Sequence, residues 1–207
     1  GDHRDLHLSI RRQRQMCIRD SLDAGVKVYY SDGSFKVKSA EFGKGAIVLE
    51  SSGKNTDSAV NSLAKELGIS FTRLSKKPSS QLIAAKPYKI GLYKSWVSNM
   101  DEGWTRWLLE NYEFPMDTLH DADIRKGQLN HYSAIVIPDQ SPSRILNGHA
   151  MNTMPEGYVG GMGVEGTAAL KKYVNNGGTL VTLDGASDFA IEQFGLPVKN
   201  VVSGCLL

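Results

Sequence analysis

Lys89-Ile-Gly-Leu-Tyr-Lys94, Asp101-Glu-Gly-Trp-Thr-Arg-Trp-Leu-Leu-Glu-Asn-Tyr112 and Met116-Asp-Thr-Leu119 follow one another with short breaks. The first and third are short β-rich runs, and the second has helical spacing. The alternation continues with a short helix Ala122 to Gly127, a strand Ala134 to Pro138, a helix Gly166 to Val174, a strand Thr179 to Asp184 and a helix Ala186 to Phe194. Strands that alternate with helices predict a parallel sheet with helices on both faces, an α/β fold of the Rossmann or flavodoxin type, over residues 88–207. In such sheets ligands sit beyond the carboxyl ends of the strands. That places a rim at Ser95 to Met100, Asp139 to Glu165 and Asp184 to Ser187, the middle segment being long enough for a binding loop.

Upstream, the pattern is shorter and richer in β-formers. Val26 to Tyr30 and Phe35 to Lys38 flank Ser31-Asp32-Gly33-Ser34 and predict a hairpin, with a further strand at Gly45 to Glu50. A helix follows, with Asn55 or Thr56 as cap, Val60, Leu63, Ala64 and Leu67 on one side and Gly68 as stop. Ile69 to Leu74 reads as a last strand, so residues 22–75 form a small α/β segment that ends a preceding domain. Residues 76–87, with Lys76-Lys77-Pro78-Ser79-Ser80, read as a linker. No internal repeat is visible.

The chain has 207 residues, 41% hydrophobic and 22% charged, with a net charge of +2, a globular composition that excludes collagen and disorder. Five arginines and three aspartates fall in residues 1–20, which leaves the rest balanced at 19 basic and 19 acidic. The basic arm lacks the aromatic interleaving of a nucleic-acid binder and any periodic apolar face. Met16-Cys17-Ile18-Arg19-Asp20-Ser21 resembles a translated sequencing adapter, so residues 1–21 are expected to be a sequencing artefact or a disordered arm, extraneous to the fold. The longest apolar runs are far shorter than a membrane helix requires, and no signal peptide is visible. Cys17 and Cys205 are too few for a disulfide framework or a Cys-based metal site.

Several motifs offer chemistry, and each has a plainer explanation. Gly161-Met-Gly163-Val-Glu-Gly166 opens a helix as a dinucleotide fingerprint does, but Pro155-Glu-Gly-Tyr-Val-Gly160 precedes it in place of a strand. His3, His7, His120, His131 and His149 start no zinc motif, and in His120-Asp-Ala-Asp123 the residue Asp121 reads as a helix cap. At the last strand-to-helix elbow, Leu183-Asp184-Gly185-Ala186-Ser187-Asp188 holds no cysteine, and Ser187 lacks a second flanking glycine, so Ser187 also reads as a cap. All three tryptophans lie in Trp96 to Trp107. Trp104, Trp107 and Leu108 form a stripe expected in the core, Glu102, Arg106 and Glu110 an ion-pair ladder, and Gly103 a point of close backbone approach. Trp96, just before the helix, is expected at the rim crevice.

Read together, Gly91-Leu-Tyr-Lys-Ser-Trp96, Asn99 to Leu109, Glu113-Phe-Pro115, Ile135-Val-Ile-Pro-Asp-Gln140, Met154 to Gly161, Asn176-Gly-Gly-Thr-Leu-Val181 and Phe194 to Asn200 resemble the C-terminal region of large secreted bacterial proteins of the zinc carboxypeptidase family. There, a carboxypeptidase A-like catalytic domain precedes a domain similar to class I glutamine amidotransferases. The resemblance runs over residues 24–201. It implies an accessory, non-catalytic domain whose partners are the upstream carboxypeptidase domain and its peptide substrate, in the periplasm or outside the cell. Nucleic acid and a membrane span are not expected. Zinc belongs to the upstream domain, so no cofactor is expected in this segment, and the chain reads as a fragment, incomplete at its C-terminus. The alternative is a free-standing amidotransferase-like enzyme or small-molecule binder. In either case the rim candidates are Trp96, Asp101, Glu102, Asp139 and Asp184, with no catalytic or metal-binding residue assigned.

Overall fold

The computed structural model describes residues 17–22, 24–51 and 54–202, with the side chains of 54 and 55 outside the described ones. The chain divides into two compact units, Gly1–Pro87 and Tyr88–Leu207. The arm expected to be extraneous lies outside the described residues up to 16. Residues 17–22 are helical, with Cys17, Ile18 and Ser21 buried and the Ser21 carbonyl accepting from the Val26 amide at 2.8 Å.

In the first unit, β1 (Lys27–Ser31) is the middle of an antiparallel sheet between β4 (Ile47–Glu50) and β5 (Leu82–Ala84). The expected hairpin therefore forms differently. β2 (Phe35–Val37) pairs with β3 (Ala40–Phe42), not with β1, because a two-residue turn with Lys38 at φ 55° folds it straight back and stacks Phe35 on Phe42 at 5.2 Å. β1 instead takes β4, where the Tyr29 hydroxyl donates to Glu50 at 2.8 Å. β5 comes from the segment read as a linker, and it fills the other edge of β1. With both edges taken, Ile69–Leu74 has no strand to join and runs irregular. A helix, Lys54–Leu67, buries Leu63 and Leu67 and stops at Gly68, φ +62°. Asn55 and Thr56 both lie inside that helix, so neither is its cap.

The second unit has the α/β fold expected. Four parallel strands, β6 (Ile90–Tyr93), β7 (Met116–Leu119), β8 (Ala134–Ile137) and β9 (Thr179–Thr182), lie in the order β7-β6-β8-β9. Tyr93 is in register with Leu119, and Ile135 with Leu180, on the face that carries the core. The short helices Asp121–Lys126 and Pro142–Asn147 and the longer Gly163–Asn175 and Ala186–Phe194 cover this face through Ile124, Ile145, Leu170, Tyr173 and Phe189. Alternate strand residues point to the other face. There Leu92, Thr118, Val136 and Val181 share a register, and the helix Met100–Asn111 reaches Thr118 through Arg106, whose Nη2 donates to Thr118 Oγ1 at 2.9 Å. Val181 and Leu183 remain 37% and 38% exposed.

The tryptophan helix overturns one expectation. Its ladder is present, with Glu102 at 2.5 Å and Glu110 at 3.8 Å from Arg106. Yet Trp104, Trp107 and Leu108 are not core: they are 62%, 57% and 50% exposed. Glu102 and Arg106 take the sheet side of the helix, and residues three to four apart share a face, so the stripe opposite them faces outward. A Cβ at Gly103 would meet nothing within 4 Å, so close approach is not its role.

Candidate functional site

The strand order reverses direction between β6 and β8, where the chain leaves β6 toward β7 on one side and later returns to β8 on the other. Ligand crevices of doubly wound sheets form at such a point. Two ties bridge the loops that leave these strands. Asn99 Nδ2 donates to the Asp139 carbonyl at 2.6 Å, and His149 Nε2 donates to the Trp96 carbonyl at 3.2 Å. Asn99 also caps the tryptophan helix, its Oδ1 accepting from the Asp101 amide at 2.9 Å.

Trp96 sits in an aromatic cluster at this rim. Its ring lies flat on His120, centroids 3.9 Å apart at 4°, and meets the edge of Tyr158 at 4.6 Å. His120 is fixed by Nδ1–H donating to the Lys94 carbonyl at 2.8 Å. It is also the N-cap residue of Asp121–Lys126, its amide donating to Asp123 Oδ2 at 3.2 Å. Asp121 is therefore not the cap. Its carboxylate is 2% exposed and takes the Tyr93 hydroxyl on Oδ1 at 2.7 Å, while Oδ2 has no partner. Burial pushes the Asp121 carboxyl above its ordinary value, against the pull of the Tyr93 hydrogen bond and of Arg125. The same burial raises the Tyr93 phenol, and the neighbouring Asp121 charge raises it further. Beyond β8, Gln140 is 6% exposed and its Nε2 is likewise without a partner.

The long segment after β8 is built, not slack. It contains Pro142–Asn147, a single turn at Glu156–Tyr158, and a bridge from His149 to Gly160. Gly148, at φ +58°, would place a Cβ 1.9 Å from the Gly160 carbonyl oxygen, so only glycine fits. The Gly161 carbonyl accepts from Arg125, and the Met162 amide donates to the Ile145 carbonyl at 2.8 Å. Gly161 and Gly166 of this run are thus used in packing, Gly166 lying inside the helix against Met162 and Ile124, while Gly163 opens the helix at φ +63° with open space around it.

At the elbow after β9, Asp184 has φ +46°, a left-handed conformation that few side chains adopt. In α/β hydrolases a sharp strand-to-helix turn with a strained apex mounts a nucleophile, the next amide donating to the oxyanion. Here an aspartate holds the apex. The Gly185 amide donates to Asp139 Oδ1 at 2.9 Å, so a carboxylate already occupies that donor. Ser187 is not the cap of the following helix. Gly185 is, and Ser187 Oγ donates to the Thr182 carbonyl at 3.3 Å from within the first turn.

Of the rim candidates, Asp139 and Asp184 meet at this elbow through Gly185, and Trp96 belongs to the aromatic cluster. Asp101 is exposed in the first turn of its helix, and Glu102 is spent on Arg106 and, at 4.0 Å, Lys94. His120, His149 and Asp121 were weighed only as zinc ligands or as a helix cap, and neither Tyr158 nor Gln140 was a candidate site residue. Among the described residues no group of three or more His, Cys, Asp or Glu side chains could hold a metal ion, and no helix is long and apolar enough to cross a membrane. The first unit has a cavity of about 780 Å³ lined by Phe42, Val60, Phe71 and Leu74. At its margin Asp57 is held by Ser51 and Arg73, which lower its carboxyl.

In comparison with known proteins, no family model matches the chain, and no curated protein and no solved structure matches it.

Proposed function

We propose that the chain is a non-catalytic, amidotransferase-like accessory domain of a secreted zinc carboxypeptidase, working in the periplasm or outside the cell beside an upstream catalytic domain. The observation that carries this reading is the elbow. Acyl transfer there needs a nucleophile at the apex and a free amide for the oxyanion. Asp184 stands at the first place and Asp139 fills the second. The zinc and the peptide chemistry belong to the upstream domain, so this chain supplies stability and a surface to it.

A small-molecule binder at the rim is the second reading, favoured by Asp121 Oδ2 and Gln140 Nε2, two buried polar atoms without partners beyond strand ends. Sequencing the gene upstream of Gly1 tests the first reading. An in-frame region of about 300 codons carrying His-x-x-Glu supports it, given ordinary domain sizes. An in-frame stop codon there overturns it. Ammonia release from glutamine by the purified chain, abolished by Asp184→Asn, would overturn the non-catalytic part.

A further inference from the structure

The helix Met100–Asn111 is mounted with its apolar side out. Its sheet side carries Glu102 and Arg106, an ion pair that leans on Thr118, beside the half-buried Leu109. Its outer side carries Met100, Trp104, Trp107 and Leu108, which are 74%, 62%, 57% and 50% exposed. Amphipathic helices of folded domains do the reverse, and an exposed stripe of this kind marks a surface that something else covers. Met100, Trp104, Trp107 and Asn111 are spaced by four, three and four residues, the seam by which one helix receives another. Trp104 and Trp107 stand edge to face at 6.2 Å, which gives the seam a rigid aromatic centre.

Charge decides the occupant. Residues on either side of the seam are Asp101 and Glu110, both exposed, while Arg106, the helix's one basic residue, is engaged by Glu102 and Glu110. One guanidinium is shared by two of the helix's three carboxylates, so the helix keeps a net negative charge, with Asp101 on one margin of the seam and Glu110 on the other. A second copy laid on the stripe would set acid against acid, and an anionic lipid surface would be repelled. We infer that the Trp104–Trp107 stripe is the docking surface for an amphipathic helix of a partner protein whose apolar seam is flanked by Lys or Arg. This inference is independent of the elbow and of whether the chain is catalytic.

The test uses the full chain and two labelled synthetic helical peptides of about five turns, identical in their leucine seam, one flanked by Lys and one by Glu. Binding is followed by anisotropy at about 0.05 M salt, where surface charge is weakly screened. The Lys peptide is expected to bind at least about tenfold tighter than the Glu peptide, a gap that narrows as salt rises. Asp101→Lys with Glu110→Lys should reverse the preference, and Trp104→Ser with Trp107→Ser should weaken the Lys peptide by at least about tenfold. Equal binding of both peptides, no binding of either, or a preference unmoved by charge reversal would overturn the inference. Self-association by sedimentation, lost in the tryptophan double variant, would overturn it in favour of a second copy. The charge-reversal pair leaves both tryptophans in place, so it decides the matter should the tryptophan variant not fold.

Discussion

Asp121 holds a buried carboxylate with one oxygen on the Tyr93 hydroxyl and the other on nothing. Its folded proton affinity is raised above the ordinary carboxyl value, so the folded state binds the proton more tightly than the unfolded chain. The stabilising contribution is therefore complete below the unfolded value and is lost as pH rises through the folded one. Asp121→Asn should remove that dependence: melts from about pH 4 upward should show the native protein losing stability relative to the variant. Parallel curves would mean that Asp121 titrates as an ordinary surface carboxyl. The tryptophans rank differently from the order their spacing suggests. Trp104→Ala and Trp107→Ala should each change stability by less than about 0.5 kcal/mol, as at exposed sites. Trp96→Ala, which loses two ring contacts, should cost about 1–3 kcal/mol, read from urea midpoints. Equal costs at all three would contradict the exposures. Helical spacing showed that Trp104, Trp107 and Leu108 share a face, but not which way it turns. Glu102 and Arg106 reversed it by satisfying each other on the sheet side.

At the level of elements, the regular strands and helices of residues 88–207 were legible because each has its own period and stop signals. The Ala186–Phe194 helix begins and ends where its sequence says. What was not legible depended on partners far along the chain. β5 forms only because β1 has an open edge, and Ile69–Leu74 is irregular because that edge is taken. The helix Pro142–Asn147 was hidden in a segment that read as loop, six residues being too few to show a period. It is docked by glycines: Gly148→Ala should cost about 2–4 kcal/mol, since strain at positive φ adds to a collision with Gly160. Thermal unfolding measures the cost. A loss under about 1 kcal/mol would show that His149 to Gly161 can step aside at little expense.

For the molecule as a whole, the sequence located the rim of the second unit but not its use. Rim residues sit at strand ends by topology, whereas the pairing of Asp139 with the Gly185 amide is a matter of side-chain direction that no spacing encodes. The sheet is also unevenly covered. Four helices lie on one face and one on the other, where Val136 grades into the exposed Val181 and Leu183.

Cys17 carries a different kind of information. Its thiol is 1% exposed, and burial holds its pKa above the free value, Asp20 adding to the rise and Ser21 opposing it. Such a sulfur reacts with iodoacetamide only when the turns around it open, so in a Cys205→Ser background the alkylation rate becomes a clock for local opening. Each ~1.4 kcal/mol of opening free energy slows it about tenfold. Reaction at the pace of an unfolded peptide would mark residues 17–22 as a passenger on the first unit, and protection that vanishes only with global melting would make them one of its structural members.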